Sequence, residues 1–184
     1  MEETGLIRAA QRQDVSAMEA LYRQYRTMVY QTALILLRDP HRAEDVVQEA
    51  FVRAFRSIDR FDPERPFSPW LTRIVINCCR SLRKRDRRWI PYGDMSPAVT
   101  MDERFHHAEI HADVWRALIM LPERQREILM LRYFHDFAIP EIGQILGVPA
   151  GTVKSRLHQA RRRLKELLCN LPSTGEGKGR LINE

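Results

Sequence analysis

Cysteine is scarce in this chain and poorly placed for chemistry. Three cysteines, Cys78, Cys79 and Cys169, occur in 184 residues. The count is odd, two of them are sequence neighbours that cannot easily bridge each other, and no CxxC or Cys/His spacing suited to a metal appears. A disulfide framework and a zinc module are thereby excluded, and the thiols are expected to be inert, with Cys78 in a core and Cys79 partly exposed. Long apolar runs are lacking too. The longest, "ALILL" (Ala33 to Leu37), falls far short of the about 20 residues that cross a bilayer. The opening "MEETGLIRAAQRQD" has no basic start followed by an apolar stretch, so no signal peptide is expected and the protein is placed in the cytoplasm. No strand-like alternation of any length occurs, which argues against a sheet. No catalytic constellation appears, so no enzyme is expected. His106, His107 and His111 are irregularly spaced without cysteine or grouped acids nearby; no metal, cofactor or small-molecule substrate is expected.

What the chain has in excess is positive charge, +6 at neutral pH. The charge is clustered, in "RSLRKRDRR" (Arg80 to Arg88) and in "GVPAGTVKSRLHQARRRL" (Gly147 to Leu164). Clustering points to an anionic partner more strongly than the total does.

Helical periodicity dominates. "SAME" (Ser16 to Glu19) fits a capping box, and Met18, Leu21, Tyr22, Tyr25, Met28, Val29, Ala33 and Leu36 then recur at three and four. "RDP" ends that helix near Arg38, and Asp39 with Pro40 starts the next. There Val47, Phe51, Ala54, Phe55 and Ile58 share one side, while Asp45, Gln48, Glu49, Val52 and Arg56 point away from it. "DRFDPERPF" (Asp59 to Phe67) carries two prolines and no period and reads as a loop. Ser68 and Pro69 are expected to open a third helix. Its inner face is Leu71, Ile74, Val75, Cys78 and Leu82, and its outer face a basic stripe of Arg73, Asn77, Arg80, Lys84 and Arg87. Phe67 and Trp70 stand at the entrance of that stripe, where they either pack under the loop or offer rings to bases.

Pro91 interrupts the pattern. "IPYGDMSPAVTMDERFHHAE" (Ile90 to Glu109) reads as a linker. Helical spacing resumes with Val114, Leu118 and Leu121, then after Pro122 with Ile128, Leu131 and Phe134, then near Pro140 to Leu146. The tail from Pro172 reads as disordered. The fold class is therefore all-α: two small helical domains joined by a flexible linker, the C-terminal one containing a helix-turn-helix. The domains are residues 1–89, a linker 90–111, a second domain 112–171 and a tail 172–184.

"IPEIGQILGVPAGTVKSRL" reads as helix, tight turn, helix. Gly147 suits the left-handed turn residue and Pro149 the first turn of the second helix. Val153, Leu157, Ala160, Leu164 and Leu168 form that helix's buried stripe. Gly151, Ser155, His158, Gln159 and Arg162 face the other way, flanked by Lys154 and Arg156. A helix apolar on one side and cationic on the other fits the DNA major groove, where such side chains reach phosphates and base edges. A solvated basic face on an ordinary helical hairpin is the alternative.

"TVKSRLHQARRRL", with "LPERQREILMLRY" upstream, resembles the promoter-binding region 4 of bacterial sigma factors of the sigma-70 family, and most of all their compact extracytoplasmic-function group. Gly143 stands where that family often has alanine. The resemblance assigns −35 promoter contacts to Gly151, Thr152, Lys154, Ser155, Arg156, His158, Gln159 and Arg162. "AEDVVQEAFVRAF" (Ala43 to Phe55) resembles region 2.2, the helix that grips the polymerase β′ clamp, which assigns that contact to Asp45, Gln48 and Glu49. "RPFSPWLTRIVINCCRSLRKR" (Arg65 to Arg85) resembles regions 2.3 and 2.4, where the −10 element is opened and a flipped base is held. That assigns −10 contacts to Phe67, Trp70, Arg73, Asn77, Arg80 and Lys84. The implied partners are RNA polymerase core, through the β′ clamp and the β flap, promoter DNA both duplex and single-stranded, and an anti-sigma factor. A stand-alone helix-turn-helix regulator remains the alternative, with an adaptor or sigma inhibitor a third reading.

Overall fold

The computed structural model describes residues 2–86 and 112–170, and all regular structure among them is helical. The linker, the tail, Arg87 and the three linker histidines lie outside the described residues. The chain divides into two compact units, Met1–Asp94 and Met95–Glu184.

The first unit holds α1 (Glu3–Gln11), α2 (Val15–Leu37), α3 (Pro40–Ser57), a 3-10 turn (Ile58–Arg60) and α4 (Phe67–Asp86). α2 is central, packing against α1, α3 and α4. That position explains the apolar run: Ala33, Leu34, Ile35, Leu36 and Leu37 are all buried, because a helix surrounded by others has no face left for water. Each large aliphatic side chain so buried contributes about 1.5–3 kcal/mol.

The sequence reading missed α1. Its Leu6, Ile7, Ala9 and Ala10 are buried, and Tyr25 of α2 donates its hydroxyl to Glu3. Asp14, not Ser16, caps α2: its carboxylate accepts from the backbone of Ser16 at 2.9 Å and Ala17 at 3.2 Å, and Ser16 donates its hydroxyl to it. A carboxylate one position before the helix satisfies two orphan amides that a serine inside the helix cannot reach. Those bonds also hold the Asp14 carboxyl below its ordinary range. The expected joint between α2 and α3 is present. Arg38 takes a left-handed φ of 60° and Asp39 accepts from His41 at 3.0 Å and Arg42 at 3.1 Å.

α4 begins at Phe67, so Ser68 and Pro69 lie within its first turn instead of capping and opening it. Phe67, Leu71, Thr72, Val75, Ile76 and Cys78 are buried on it. Cys79 is buried as well, at 1 % exposure. The expected partial exposure fails because α2 and α3 both pack on α4 and together cover more than one stripe of it. Burial pushes the Cys78 thiol up to about 11.

The second unit holds α5 (Ala112–Met120), α6 (Glu123–Tyr133), α7 (Ile139–Leu146) and α8 (Ala150–Asn170). α8 packs on α5, α6 and α7. Buried Arg126 donates to the carbonyls of Ile119 at 2.9 Å and Leu121 at 3.1 Å, tying the end of α5 to α6. His135 stacks on Phe137 with centroids 5.2 Å apart, and burial holds its imidazole down to about 4.

Candidate nucleic-acid interface

The turn between α7 and α8 decides how the last helix is presented. Gly147 has φ 68°, the left-handed conformation that suits glycine, and ends α7. Val148 donates its amide to the Gly143 carbonyl at 3.0 Å. α8 starts at Ala150, so Pro149 stands just before the helix rather than in its first turn, with its carbonyl accepting from Val153 at 3.1 Å. Gly143 has an ordinary φ but no room: a Cβ there would lie 2.8 Å from the Val148 carbonyl oxygen. The glycine that departs from the family's frequent alanine is thus demanded by a close backbone crossing.

Val153, Leu157 and Ala160 of α8 are buried, whereas Leu164 and Leu168 are half-buried. Gly151, Lys154, Ser155, His158, Gln159 and Arg162 are exposed, and Thr152 and Arg156 partly so. One helical surface therefore carries all eight residues assigned to −35 DNA. Glu166 lies 3.7 Å from Arg162 and 3.1 Å from Arg163. Arg161 donates to the Tyr133 hydroxyl at 2.5 Å and lies 5.4 Å from that ring's centroid. The arginines in the C-terminal half of α8 thus each have a partner at the surface. Among the described residues Lys154 and Arg156, nearer its N-terminus, have no carboxylate within ion-pair distance.

In the first unit the outer face of α3 carries Asp45, Gln48 and Glu49, all exposed, beside the exposed Val52. Glu49 pairs with Arg53 at 2.6 Å. Asp45 and Gln48 sit on a surface whose apolar neighbour, Val52, is 44 % exposed.

On α4, Arg73, Asn77 and Lys84 are exposed and Arg80 is half-buried. Arg83, part of the same basic cluster, instead donates to the Leu36 carbonyl near the end of α2. Phe67 is not at the surface. It is fully buried, with Tyr25, Phe61 and Trp70 centroids at 5.2, 5.5 and 5.2 Å. A ring needed to close the core beneath the loop cannot also stand at its mouth, so Phe67 supports the surface from below. Trp70 is half-buried, 4.7 Å from Phe61 and tilted 40° to it. It begins the helical face that continues through Arg73 and Asn77. Sequence reasoning missed Phe61, whose loop position gave no periodic signal, and Gln11, whose partners lie far along the chain.

Comparison with known proteins follows the same division. The model of Sigma-70 region 2 matches residues 21–89 and that of Sigma-70, region 4 matches residues 111–164. The chain is 32% identical over 180 residues to the ECF RNA polymerase sigma factor SigW of Bacillus subtilis, covering 90% of this chain and 96% of that one. Among solved structures it resembles CnrH in complex with the cytosolic domain of CnrY, with TM-score 0.67 and 26% identity over 91% of this chain and 97% of that one. It also resembles the sigma factor RpoE of Bartonella quintana in complex with the anti-sigma factor NepR, with TM-score 0.61 and 31% identity over 78% of this chain and 91% of that one.

Proposed function

This chain belongs to the extracytoplasmic-function group of the sigma-70 family, and from that premise we propose how its two units divide the work of a sigma factor. As a sigma factor it directs core RNA polymerase to promoters and initiates transcription there. The first unit, residues 1–89, holds the enzyme and the opened strand; the second, residues 112–171, sits on intact duplex, and residues 90–111 link them.

Asp45, Gln48 and Glu49 meet the β′ clamp. An exposed polar face flanked by Val52 suits a partner that buries a small apolar core inside a charged rim. Arg73, Asn77, Arg80 and Lys84 line the path of the −10 strand. Trp70 offers an aromatic face, a stacking contact worth about 1–3 kcal/mol per base. α8 enters the major groove at the −35 element. Lys154 and Arg156 neutralise phosphates, while Ser155, His158, Gln159 and Arg162 are placed toward base edges. Gly151, with nothing near it, lets the start of α8 approach the phosphate backbone. The second unit also meets the β flap.

The chemistry of RNA synthesis belongs to the polymerase, and this chain supplies binding energy and orientation without a catalytic step of its own. It works in the cytoplasm, where its polymerase is; among the described residues no helix is long and apolar enough to cross a membrane. An anti-sigma factor that covers these surfaces is the expected regulator, since both solved structures compared above are named as complexes with a partner of that kind or a cytosolic domain.

The observation that carries the reading is the presence, in one chain and in this order, of an exposed acidic and amide face on α3 and an exposed cationic face on α8. A stand-alone regulator would need only the second. In vitro transcription decides it: core polymerase with and without this chain, on genomic fragments. The chain is expected to bind core and to start RNA from a subset of fragments; no association and no initiation would refute the reading.

A further inference from the structure

α1 lies before the stretch that matches Sigma-70 region 2, which begins at residue 21. It is nevertheless bonded to the loop between α3 and α4. The Gln11 side-chain amide donates to the carbonyl of Ile58 at 3.0 Å and to that of Phe61 at 2.8 Å, across 47 and 50 residues of sequence. The Ile58 carbonyl also accepts from the Phe61 amide at 3.0 Å. Three residues before Gln11, one turn along α1, Arg8 pairs with Glu64 at 2.6 Å. One helix therefore holds the loop at Ile58, Phe61 and Glu64.

The two attachments differ in weight. Arg8 and Glu64 are exposed, at 57% and 67% of their side chains, and such a pair holds little. Gln11 is half-buried. It gives the Ile58 carbonyl a second donor beside the Phe61 amide and gives the Phe61 carbonyl, in the irregular loop, a donor of its own. Glutamine suits the task because its single amide nitrogen carries two N–H groups, one for each carbonyl. Glutamate has the same length and no donor.

The attachment reaches the DNA-facing surface through one ring. Phe61 is 6 % exposed and its ring lies 4.7 Å from that of Trp70. Gln11 fixes the Phe61 backbone, the Phe61 ring seats the indole, and the indole is the aromatic offered beside the basic stripe. An aromatic platform held in place before binding loses less conformational freedom when a base stacks on it.

We propose that Gln11 is a positioning residue for capture of the −10 strand: it pins the α3–α4 loop and, through Phe61, the Trp70 indole. The proposal rests on the assignment of the first unit to −10 melting. It adds to that unit a determinant on a helix outside the matched region.

Holoenzyme is reconstituted from core polymerase and the full chain. It is assayed on the genomic fragment that wild type transcribes best, once fully duplex and once premelted across the −10 element. Gln11→Glu is expected to slow initiation on the duplex about ten-fold, the scale of losing one or two net hydrogen bonds. Core affinity stays unchanged, and most of the defect disappears on the premelted template. Gln11→Ala, which leaves the carbonyls to water without repulsion, is expected to follow the same pattern more weakly. It serves as the test if Gln11→Glu fails to fold. Equal defects on the two templates, a parallel loss of core binding, or no defect in either variant would overturn the proposal. A wild-type chain that starts no RNA would remove the −10 assignment and this inference together. A wild type that initiates alongside equally active Gln11 variants would remove this inference alone.

Discussion

Three glycines around the helix-turn-helix separate three physical costs, and replacing each by alanine tests them against one another. Gly143→Ala is limited by space. The new Cβ would sit 2.8 Å from the Val148 carbonyl oxygen, and a carbonyl in a turn already bonded to Gly143 and followed by a proline cannot swing aside as a side chain could. Relief requires α8 to move away from α7, with loss of packing by Val153, which is fully buried there. Overpacking of this kind costs about 1–3 kcal/mol. Gly147→Ala has open space but φ 68°, and the left-handed conformation costs a non-glycine residue about 1–2 kcal/mol. Gly151→Ala has neither obstacle, and within a helix alanine is better than glycine by about 0.8–1.0 kcal/mol. The second unit should therefore be weakened at residues 143 and 147 and strengthened at residue 151. Hydrogen exchange of the α6–α8 amides in the full chain reads that unit alone, where a global melt would mix two units. Duplex −35 binding should follow a different order. Gly143→Ala should weaken it through displacement of α8. Gly151→Ala should also weaken it despite the gain in stability, because the methyl stands between the start of α8 and a phosphate. Unchanged amide protection in Gly143→Ala would refute the steric reasoning. Full −35 affinity in Gly151→Ala would refute the close approach.

Lys154→Ala is expected to weaken duplex binding about equally across sequences and to lower the salt slope by about one unit, as for any single phosphate contact; an unchanged slope measured by titration at several salt concentrations would refute that role. Asp45→Lys combined with Gln48→Ala should impair core binding while leaving the thermal midpoint of the chain alone, since both side chains are exposed; normal holoenzyme assembly in a pull-down would refute the clamp assignment. His135 should make the second unit acid-sensitive. Its folded value of about 4 lies below the 6.5 of the free side chain, so the unfolded chain binds the proton first. Its contribution is complete above pH 6.5 and is lost as pH falls toward 4, by on the order of 3 kcal/mol at the acid end. Replacing His135 by phenylalanine should flatten the pH dependence of α6–α8 amide protection in that window, and an unaltered slope would refute it.

The helices that pack by one stripe were legible from the sequence. α3 and α8 each expose the faces that periodicity assigns, and the polar residues on those faces emerge at the surface. Asp39 with Pro40 and Gly147 announced a start and a stop because each has a local backbone reason. The failures share a different cause. Asp14 rather than Ser16 caps α2 because a cap is chosen by which side-chain oxygen meets free amides, and a capping-box spacing within the helix looks much the same. Phe67, Phe61 and Gln11 could not be ranked because their roles depend on neighbours far along the chain, Tyr25 for Phe67 and Gln11 for Phe61. Cys79 is covered by helices on more than one side of α4, and a single-stripe wheel cannot express that. For the aromatic pair at the start of α4 the sequence allows both core packing and a place at the surface, and packing divides them: Phe67 is inside and Trp70 half-buried.

The burial of Cys78 and Cys79 beside an exposed Cys169 has a practical side. A thiol-directed dye applied to the folded protein finds a single point of attachment. That point is near the far end of α8, on the same continuous helix as Gly151 and about 27 Å along its axis at the usual rise per residue. Seating of the rod on duplex can then be followed by energy transfer from native sequence, with no cysteine to remove and none to introduce.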